Sequence, residues 1–200
     1  MDTEKRRARL ADFPWVTLGI ALAAVAVFLG RADDGFIFDR NLILRGQIWR
    51  AWTGHIVHFG PSHIFWNLSV FVPAGCWLER VRPGVARAFY VISPPVIAAV
   101  LLAFDPTLIH YAGLSGVATG LLVLLACGQL QRGAGEPRWF WLAVLALVGI
   151  KIALELVTRK PLLVSDFSGI RDVPLAHLGG AACAVAAWAA TRKGWAACHR

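Results

Sequence analysis

The stretch Gly113-Leu114-Ser115-Gly116 decides the fold, because it opens the long apolar run of residues 117–127. That run has the composition of a membrane-spanning helix. A serine at the start of a helix is most often an N-cap. Glycines on both sides also remove side-chain bulk and let another helix approach closely. The hydroxyl of Ser115 is therefore a candidate nucleophile, provided that a general base lies within reach.

The overall composition is that of a membrane protein with several spans. The chain has 200 residues, of which 58% are hydrophobic and only 16% are charged, and a soluble domain of this size is less apolar. The net charge of +8 comes from short basic clusters between apolar runs. This placement is typical of membrane topology, so we expect a lipid bilayer and no nucleic acid as partner. The four cysteines have no C-x-x-C spacing and predict buried thiols, with no disulfide, metal or cofactor.

Apolar runs separated by proline- and glycine-containing connectors predict an all-α membrane protein, a six-helix bundle with an interfacial first loop. We expect a basic N-terminus at residues 1–13, one six-helix domain at 14–191 and a basic tail at 192–200. The first run follows a charged segment but has no persuasive A-x-A cleavage site, which favours an uncleaved helix over a signal peptide. The predicted helices cover residues 14–30, 63–78, 86–104, 114–130, 139–157 and 173–190. Residues 31–62 mix aromatic and basic side chains, which predicts a loop partly embedded at the membrane interface.

The distribution of Lys and Arg predicts the orientation of these helices. Basic residues are more numerous in the segments that lie inside when the N-terminus is cytoplasmic. We therefore expect a protein of the cytoplasmic membrane with both termini in the cytoplasm. The second, fourth and sixth helices then all enter from the outer face.

Each of these three helices carries polar side chains near that entrance. His63 and Asn67 are four residues apart on the second helix and so share one face. Ser115 begins the fourth helix, and His177 lies about one turn into the sixth, so all four lie at comparable depth. Polar groups inside a membrane are costly and usually functional. Individually they have ordinary interpretations: a helix cap, an interfacial pair and a buried histidine bonded to a carbonyl. Together they predict an active site facing the outer side.

Four motifs, in this order along residues 36–188, resemble the signature of the rhomboid intramembrane serine proteases: Gln47-Ile-Trp49-Arg50, His63-Ile-Phe-Trp-Asn67, Gly113-Leu-Ser115-Gly116 and Ala176-His177-Leu-Gly-Gly180. The stretch Trp49-Arg50-Ala-Trp-Thr-Gly-His55 and the pair Lys151 and Glu155 resemble the rhombosortase branch in particular. Members of that branch process secreted proteins that end in a Gly-Gly signal, a transmembrane helix and a basic tail. The resemblance thus implies a transmembrane protein as substrate.

The resemblance also implies residue roles. Ser115 would be the nucleophile and His177 its general base, in a dyad without a carboxylate. The side chains of His63 and Asn67, with the backbone N–H groups of Ser115 and Gly116, would hold the oxyanion. The motif residues Gly113, Gly180, Trp49 and Arg50 would support the site, and we expect Arg50 to anchor the first loop through carbonyl groups or a phosphate.

Two positions depart from the family's pattern. Thr119 stands four residues after the nucleophile, where the family commonly has an aromatic residue and rhombosortases a histidine. Ala184 stands where a glycine is expected, which predicts slightly wider packing of the fourth and sixth helices.

Other polar residues support alternative interpretations. Lys151 and Glu155, four apart within the fifth helix, predict a mutual ion pair or, less simply, a proton-coupled transport path. His55, His58 and His63 have spacing that a metal site can use, although a structural role is the simpler interpretation. Asp172 precedes His177 by five residues, and on a helix it would point away from that histidine's face.

Three functions follow from these interpretations. The first is a serine protease that cleaves membrane-anchored proteins near the outer face. The second is a catalytically silent rhomboid-like protein that binds or escorts client helices, although silent members usually lose the serine or the histidine. The third is a small transporter that uses Lys151 and Glu155.

Overall fold

A computed structural model describes residues 13–133, 135–158 and 173–196, without the side chain of residue 196. Its long helices match the six predicted apolar runs: α1 (Trp15–Gly30), α2 (Pro61–Val81), α3 (Pro83–Phe104), α4 (Ser115–Arg132), α5 (Arg138–Thr158) and α6 (Pro174–Ala196). By length and composition α3 and α5 are apolar enough to cross a membrane, and α1 is a shorter apolar helix. The described residues thus form a helical protein in which two helices are apolar enough to cross a membrane, while the count of six spans stays a prediction.

The helix ends follow from proline and left-handed residues. Helices α2, α3 and α6 begin at Pro61, Pro83 and Pro174, where a missing N–H costs nothing and the fixed φ suits the first turn. Helix α4 ends at Arg132, and the next residue, Gly133, has a φ of 66°, the left-handed conformation that closes a helix.

Helix α4 is the centre of the bundle. It is buried along most of its length, and its closest neighbour is α6. A Cβ on Gly120 would lie 2.6 Å from the carbonyl oxygen of Gly180, and a Cβ on Gly180 would overlap the carbonyl oxygen of Gly116. The two helices therefore touch backbone to backbone, which is the small-residue packing used within membranes. Ala184 is fully buried, so the alanine at the expected glycine position is accommodated in the bundle.

The first loop folds more regularly than its sequence predicts. It contains three short helical turns and one 3-10 turn, at Asp33–Phe36, Arg40–Leu44, Arg50–Thr53 and Gly54–Ile56. A two-residue strand β1 (Phe38–Asp39) pairs antiparallel with β2 (His110–Tyr111), so that Phe38 lies opposite Tyr111. The pairing joins the first loop to the segment just before Ser115.

Arg50 anchors this loop through carbonyl groups, one of the two alternatives expected for it. Its guanidinium donates to the carbonyl oxygens of Ile37 and Asp34 at 2.8 and 2.9 Å and to the side chain of Gln47 at 2.7 Å. The side chain is buried, and its planar fork suits several fixed acceptors at once.

The loop docks on a proline-containing part of α3. Pro95 has no N–H, so the carbonyl group of Val91 loses its helical donor. The indole N–H of Trp52 donates to that carbonyl oxygen at 2.9 Å. The Nε2 atom of His55 donates to the carbonyl oxygen of Pro94 at 3.2 Å. Side chains of the first loop thus donate hydrogen bonds to carbonyl groups of α3 near its two prolines.

A buried carboxylate, that of Glu79, joins the C-terminal end of α2 to the start of α1. The carboxylate of Glu79 accepts from the backbone N–H groups of Val16 and Thr17 at 3.2 and 2.8 Å. The hydroxyl of Thr17 also donates to it at 2.8 Å. These N–H groups open α1, where an anion is favoured by the free donors and the helix dipole.

Candidate active site

Ser115 is the first residue of α4, and Leu114 occupies the N-cap position without a side-chain cap. The capping interpretation of the serine therefore does not apply. Its side chain is half-buried. The backbone N–H groups in the first turn of a helix have no partner within the helix, so those of Ser115 and Gly116 are available as donors beside the hydroxyl.

Gly113 places this turn against α2. A Cβ at this position would lie 2.6 Å from the Nε2 atom of His63, and its φ of 115° is one that side chains rarely adopt. The loop is held there by the hydroxyl of Tyr111, which donates to the carbonyl oxygen of Gly113 at 3.0 Å. The N–H of Gly113 donates to the carbonyl oxygen of Gly54 at 3.2 Å. Only glycine fits this conformation and this closeness together.

His63 and Asn67 lie together on the face of α2 that meets Gly113, as their spacing predicts. Both are buried, and the side-chain amide of Asn67 donates to the carbonyl oxygen of His63 at 2.8 Å. The backbone N–H of Phe59 donates to Nδ1 of His63 at 3.4 Å. Because that nitrogen then offers its lone pair, the proton of the neutral ring is on Nε2. The ring thus presents an N–H donor toward Gly113.

His177 lies in the first turn of α6 and is buried. The residue before it contacts the residue after Ser115: a Cβ on Gly116 would lie 2.8 Å from the carbonyl oxygen of Ala176. Within the described residues, Nε2 of His177 is buried and has no hydrogen-bond partner, so it does not bond the Ser115 hydroxyl in this conformation. Catalytic hydrogen bonds are often long without substrate.

The opposite nitrogen of His177 has a carboxylate partner that the sequence did not reveal. Nδ1 of His177 lies 2.6 Å from Oε2 of Glu155, whereas a dyad without a carboxylate was expected. The sequence thus missed this contact, and the catalytic dyad itself stays a prediction. The other oxygen of Glu155 forms the predicted ion pair with Lys151. The i, i+4 spacing predicted that pair, but it gave no sign that the pair faces α6. Asp172 lies outside the described residues.

The remaining histidines of the first loop are neutral structural groups. Burial lowers the pKa of His55 to about 4. Burial, aided by the neighbouring His63, lowers the pKa of His58 to about 3. Within the described residues, no three metal-ligating side chains come together. The ring of His58 packs edge-on against that of His63 at 5.0 Å between centroids, so it helps to hold His63 in place.

The structure brings some of the predicted site residues together and leaves others at its periphery. Gly113 lies against His63 and Asn67 of α2, and Gly116 lies against Ala176, the residue before His177, so the turn that carries Ser115 stands between α2 and α6. Gly180 sets the approach of α6 to α4 one turn further along. Arg50 is bonded within the first loop, and Trp49 beside it is about half exposed. Thr119 is buried on α4.

The family model described as Rhomboid domain matches residues 45–193, a range that contains His63, Asn67, Ser115 and His177. A search of curated proteins finds no match to the chain.

Proposed function

The chain belongs to the rhomboid family, and from that premise we propose that it is an intramembrane serine endopeptidase with Ser115 as nucleophile and His177 as general base. Members of the family are generally membrane-embedded serine proteases. The observation that carries the proposal is the position of the Ser115 turn, with Gly116 against Ala176 of α6 on one side and Gly113 against His63 of α2 on the other.

The proposed reaction is acyl transfer to Ser115. Its hydroxyl oxygen attacks the scissile carbonyl carbon while Nε2 of His177 takes the hydroxyl proton. The tetrahedral intermediate collapses as the imidazolium returns this proton to the leaving amine. Water, activated by the same nitrogen, then hydrolyses the acyl-enzyme. The buried lone pair of Nε2, which has no partner in the described part of the chain, supports this assignment.

The oxyanion is proposed to form between α4 and α2. The donors are the backbone N–H groups of Ser115 and Gly116, the Nε2–H of His63 and the second N–H of the Asn67 amide. Donors that are fixed before the reaction stabilise charge as it develops. The hydrogen bonds at Nδ1 of His63 and at the Asn67 amide support such fixation.

The proposed substrate is a transmembrane protein cut near the outer membrane face. The basic clusters favour a cytoplasmic membrane location with inner termini, which puts the first turns of α4 and α6 on the outer side. Similarity of the first-loop motif to rhombosortases favours a Gly-Gly pair before the anchor helix of the substrate.

A fluorophosphonate probe tests the proposed nucleophile. Purified protein in detergent micelles should be labelled at Ser115, and Ser115→Ala should remove the label. The matched control is Ser69→Ala, which alters a serine on the exposed face of α2 and should leave labelling intact. Labelling that persists in Ser115→Ala, or an unlabelled wild type, would overturn the assignment.

A further inference from the structure

We propose that Glu155 completes a Ser115–His177–Glu155 triad as the residue that positions the histidine, and that Lys151 balances the carboxylate's charge. This inference rests on the proposed function and concerns the same site. It adds two residues of α5 to a site otherwise built by α2, α4 and α6.

Hydrogen-bond chemistry fixes the state of His177. A carboxylate only accepts, so the 2.6 Å contact of Glu155 Oε2 requires a proton on Nδ1 of the imidazole. The neutral ring then carries its lone pair on Nε2, which is the nitrogen that must take the Ser115 proton. Glu155 therefore selects the tautomer that works as a base and fixes the plane of the ring.

Lys151 interacts with Glu155 rather than with the imidazole, as the distances show. Its Nζ lies 3.3 Å from Nδ1 of His177 and forms an ion pair with Oε1 of Glu155. Nδ1 cannot donate to Glu155 and accept from Lys151 at once, and the shorter contact is the one to Glu155. The ammonium is therefore a counter-charge for the carboxylate rather than a donor to the ring.

This counter-charge matters because Glu155 is buried. Its side chain is 2% exposed, and a buried carboxylate needs a compensating cation. With Lys151 in place, the pair is neutral and the imidazole can remain uncharged at rest. Without Lys151, a protonated His177 would supply the compensating cation for Glu155 among the described residues, and a protonated His177 is no longer a base.

Few other ionisable groups surround His177 among the described residues. Lys151 and Glu155 face it from α5. From α4 Gly116 packs against Ala176, and from α3 Ile97 and Val100 pack beside Gly179. On α2, His63 lies across Gly113 and is neutral in the tautomer assigned above. The pH dependence of turnover should therefore respond mainly to changes in the two residues of α5.

The turnover of Glu155→Gln tests whether Glu155 positions the imidazole of His177. The amide keeps the size of the side chain but offers both a donor and an acceptor, so the ring can turn to the wrong tautomer. Cleavage of a transmembrane reporter should lose about 10²-fold or more in kcat with KM little changed. Unchanged kcat would overturn the proposal.

The pH profile separates positioning from a merely structural role. Removing the anion disfavours a charged imidazole, so Glu155→Gln should move the acidic midpoint of turnover to lower pH. Removing the cation favours the charged imidazole. Lys151→Met should therefore move the acidic midpoint of turnover to higher pH, and turnover should recover in alkaline solution. Midpoints that move together, or not at all, would overturn the proposal.

Glu79→Gln is the matched control. It also removes one buried carboxylate, but one that bonds the start of α1. It should lower the melting temperature while leaving the pH midpoint in place. A midpoint shift in Glu79→Gln equal to that of Glu155→Gln would show that the effect is a general consequence of losing a buried charge, and would overturn the proposal.

A spectroscopic measurement keeps the inference testable apart from activity. In the Ser115→Ala background, with nitrogen-15 histidine, we expect a far-downfield Nδ1–H proton of His177 that disappears in Glu155→Gln. If this signal is absent, the triad is overturned even when the fluorophosphonate labels Ser115. If the signal is present but wild-type Ser115 is not labelled, the contact stands, whereas the proposed function fails and with it the catalytic role of Glu155.

Discussion

Asn67 and His63 are the side chains whose chemistry is most constrained by their immediate contacts. The side-chain amide of Asn67 donates one N–H to the carbonyl oxygen of His63 at 2.8 Å. The amide has a second N–H that this hydrogen bond does not use. An oxyanion beside Ser115 would accept a hydrogen bond from that second N–H.

Replacing Asn67 with alanine should therefore affect the transition state more than the fold. We expect Asn67→Ala to lower kcat about 10²–10³-fold, because one oxyanion donor is lost, with KM changed much less. Reporter cleavage kinetics check this, with Asn41→Ala in the exposed part of the first loop as control. Equal kcat in Asn67→Ala and wild type would remove Asn67 from the oxyanion site.

Much of the site was predictable at this scale, and the exception has a physical reason. Spacing put His63 and Asn67 on one face, and helix depth put Ser115 and His177 at the same level. The contact of Glu155 with His177 depends on how α5 is rotated against α6. The apolar surface of α5 gives little sign of that rotation, because lipid-facing and bundle-facing positions are both hydrophobic.

At the scale of elements, the contact between α4 and α6 sets the distance across the site. Gly116, Gly120 and Gly180 leave no room for a side chain between the two backbones. Dispersion contacts at such short range hold membrane helices together, since apolar burial gives little preference there. The positions of Ser115 and His177 follow directly from this contact.

A methyl group at Gly180 should push α6 away from α4. We expect Gly180→Ala to destabilise the protein by about 1–3 kcal/mol through overpacking and to reduce turnover. Gly19→Ala is the control, because a Cβ there meets nothing within 4 Å, and it should be neutral or slightly stabilising by helix propensity. Thermal unfolding in detergent measures both. Equal melting temperatures would contradict the close approach of the helices.

The first loop is the other element that fixes the site, through Arg50. Removing its side chain in Arg50→Ala leaves partly buried carbonyl groups of the loop without their donors, at up to about 1–3 kcal/mol for each unsatisfied group. We expect a lower melting temperature, with Arg50→Lys intermediate because an ammonium cannot reproduce the planar fork. The exposed Arg45→Ala is the control. An Arg50→Ala protein as stable as Arg45→Ala would show that these hydrogen bonds do not stabilise the fold.

The fold of this loop was less predictable than the helices. Proline, glycine and long apolar runs located every long helix, although α6 extends to Ala196 beyond its predicted end at residue 190. The pairing of Phe38 with Tyr111 joins segments far apart in sequence and involves strands of two residues, which are too short to show alternation. No local pattern predicts such a contact.

For the whole molecule, the orientation in the membrane decides which compartment supplies the substrate. Alkaline phosphatase, active only after export, should be active when fused after Thr107 and inactive when fused after Glu136. The reason is that the α3–α4 connector is predicted outside and the α4–α5 connector inside. Growth on a chromogenic phosphate reports both fusions. The reverse result would put the active site at the cytoplasmic face.

The central claim is that Ser115 cleaves a membrane-anchored protein. Its most direct test is co-expression with a reporter that ends in Gly-Gly, a transmembrane helix and a basic tail. We predict that wild type and Ser69→Ala shorten the reporter, and that Ser115→Ala at equal expression leaves it intact. A reporter left intact by wild type would contradict the Gly-Gly substrate class, and equal cleavage by Ser115→Ala would contradict serine catalysis at this site.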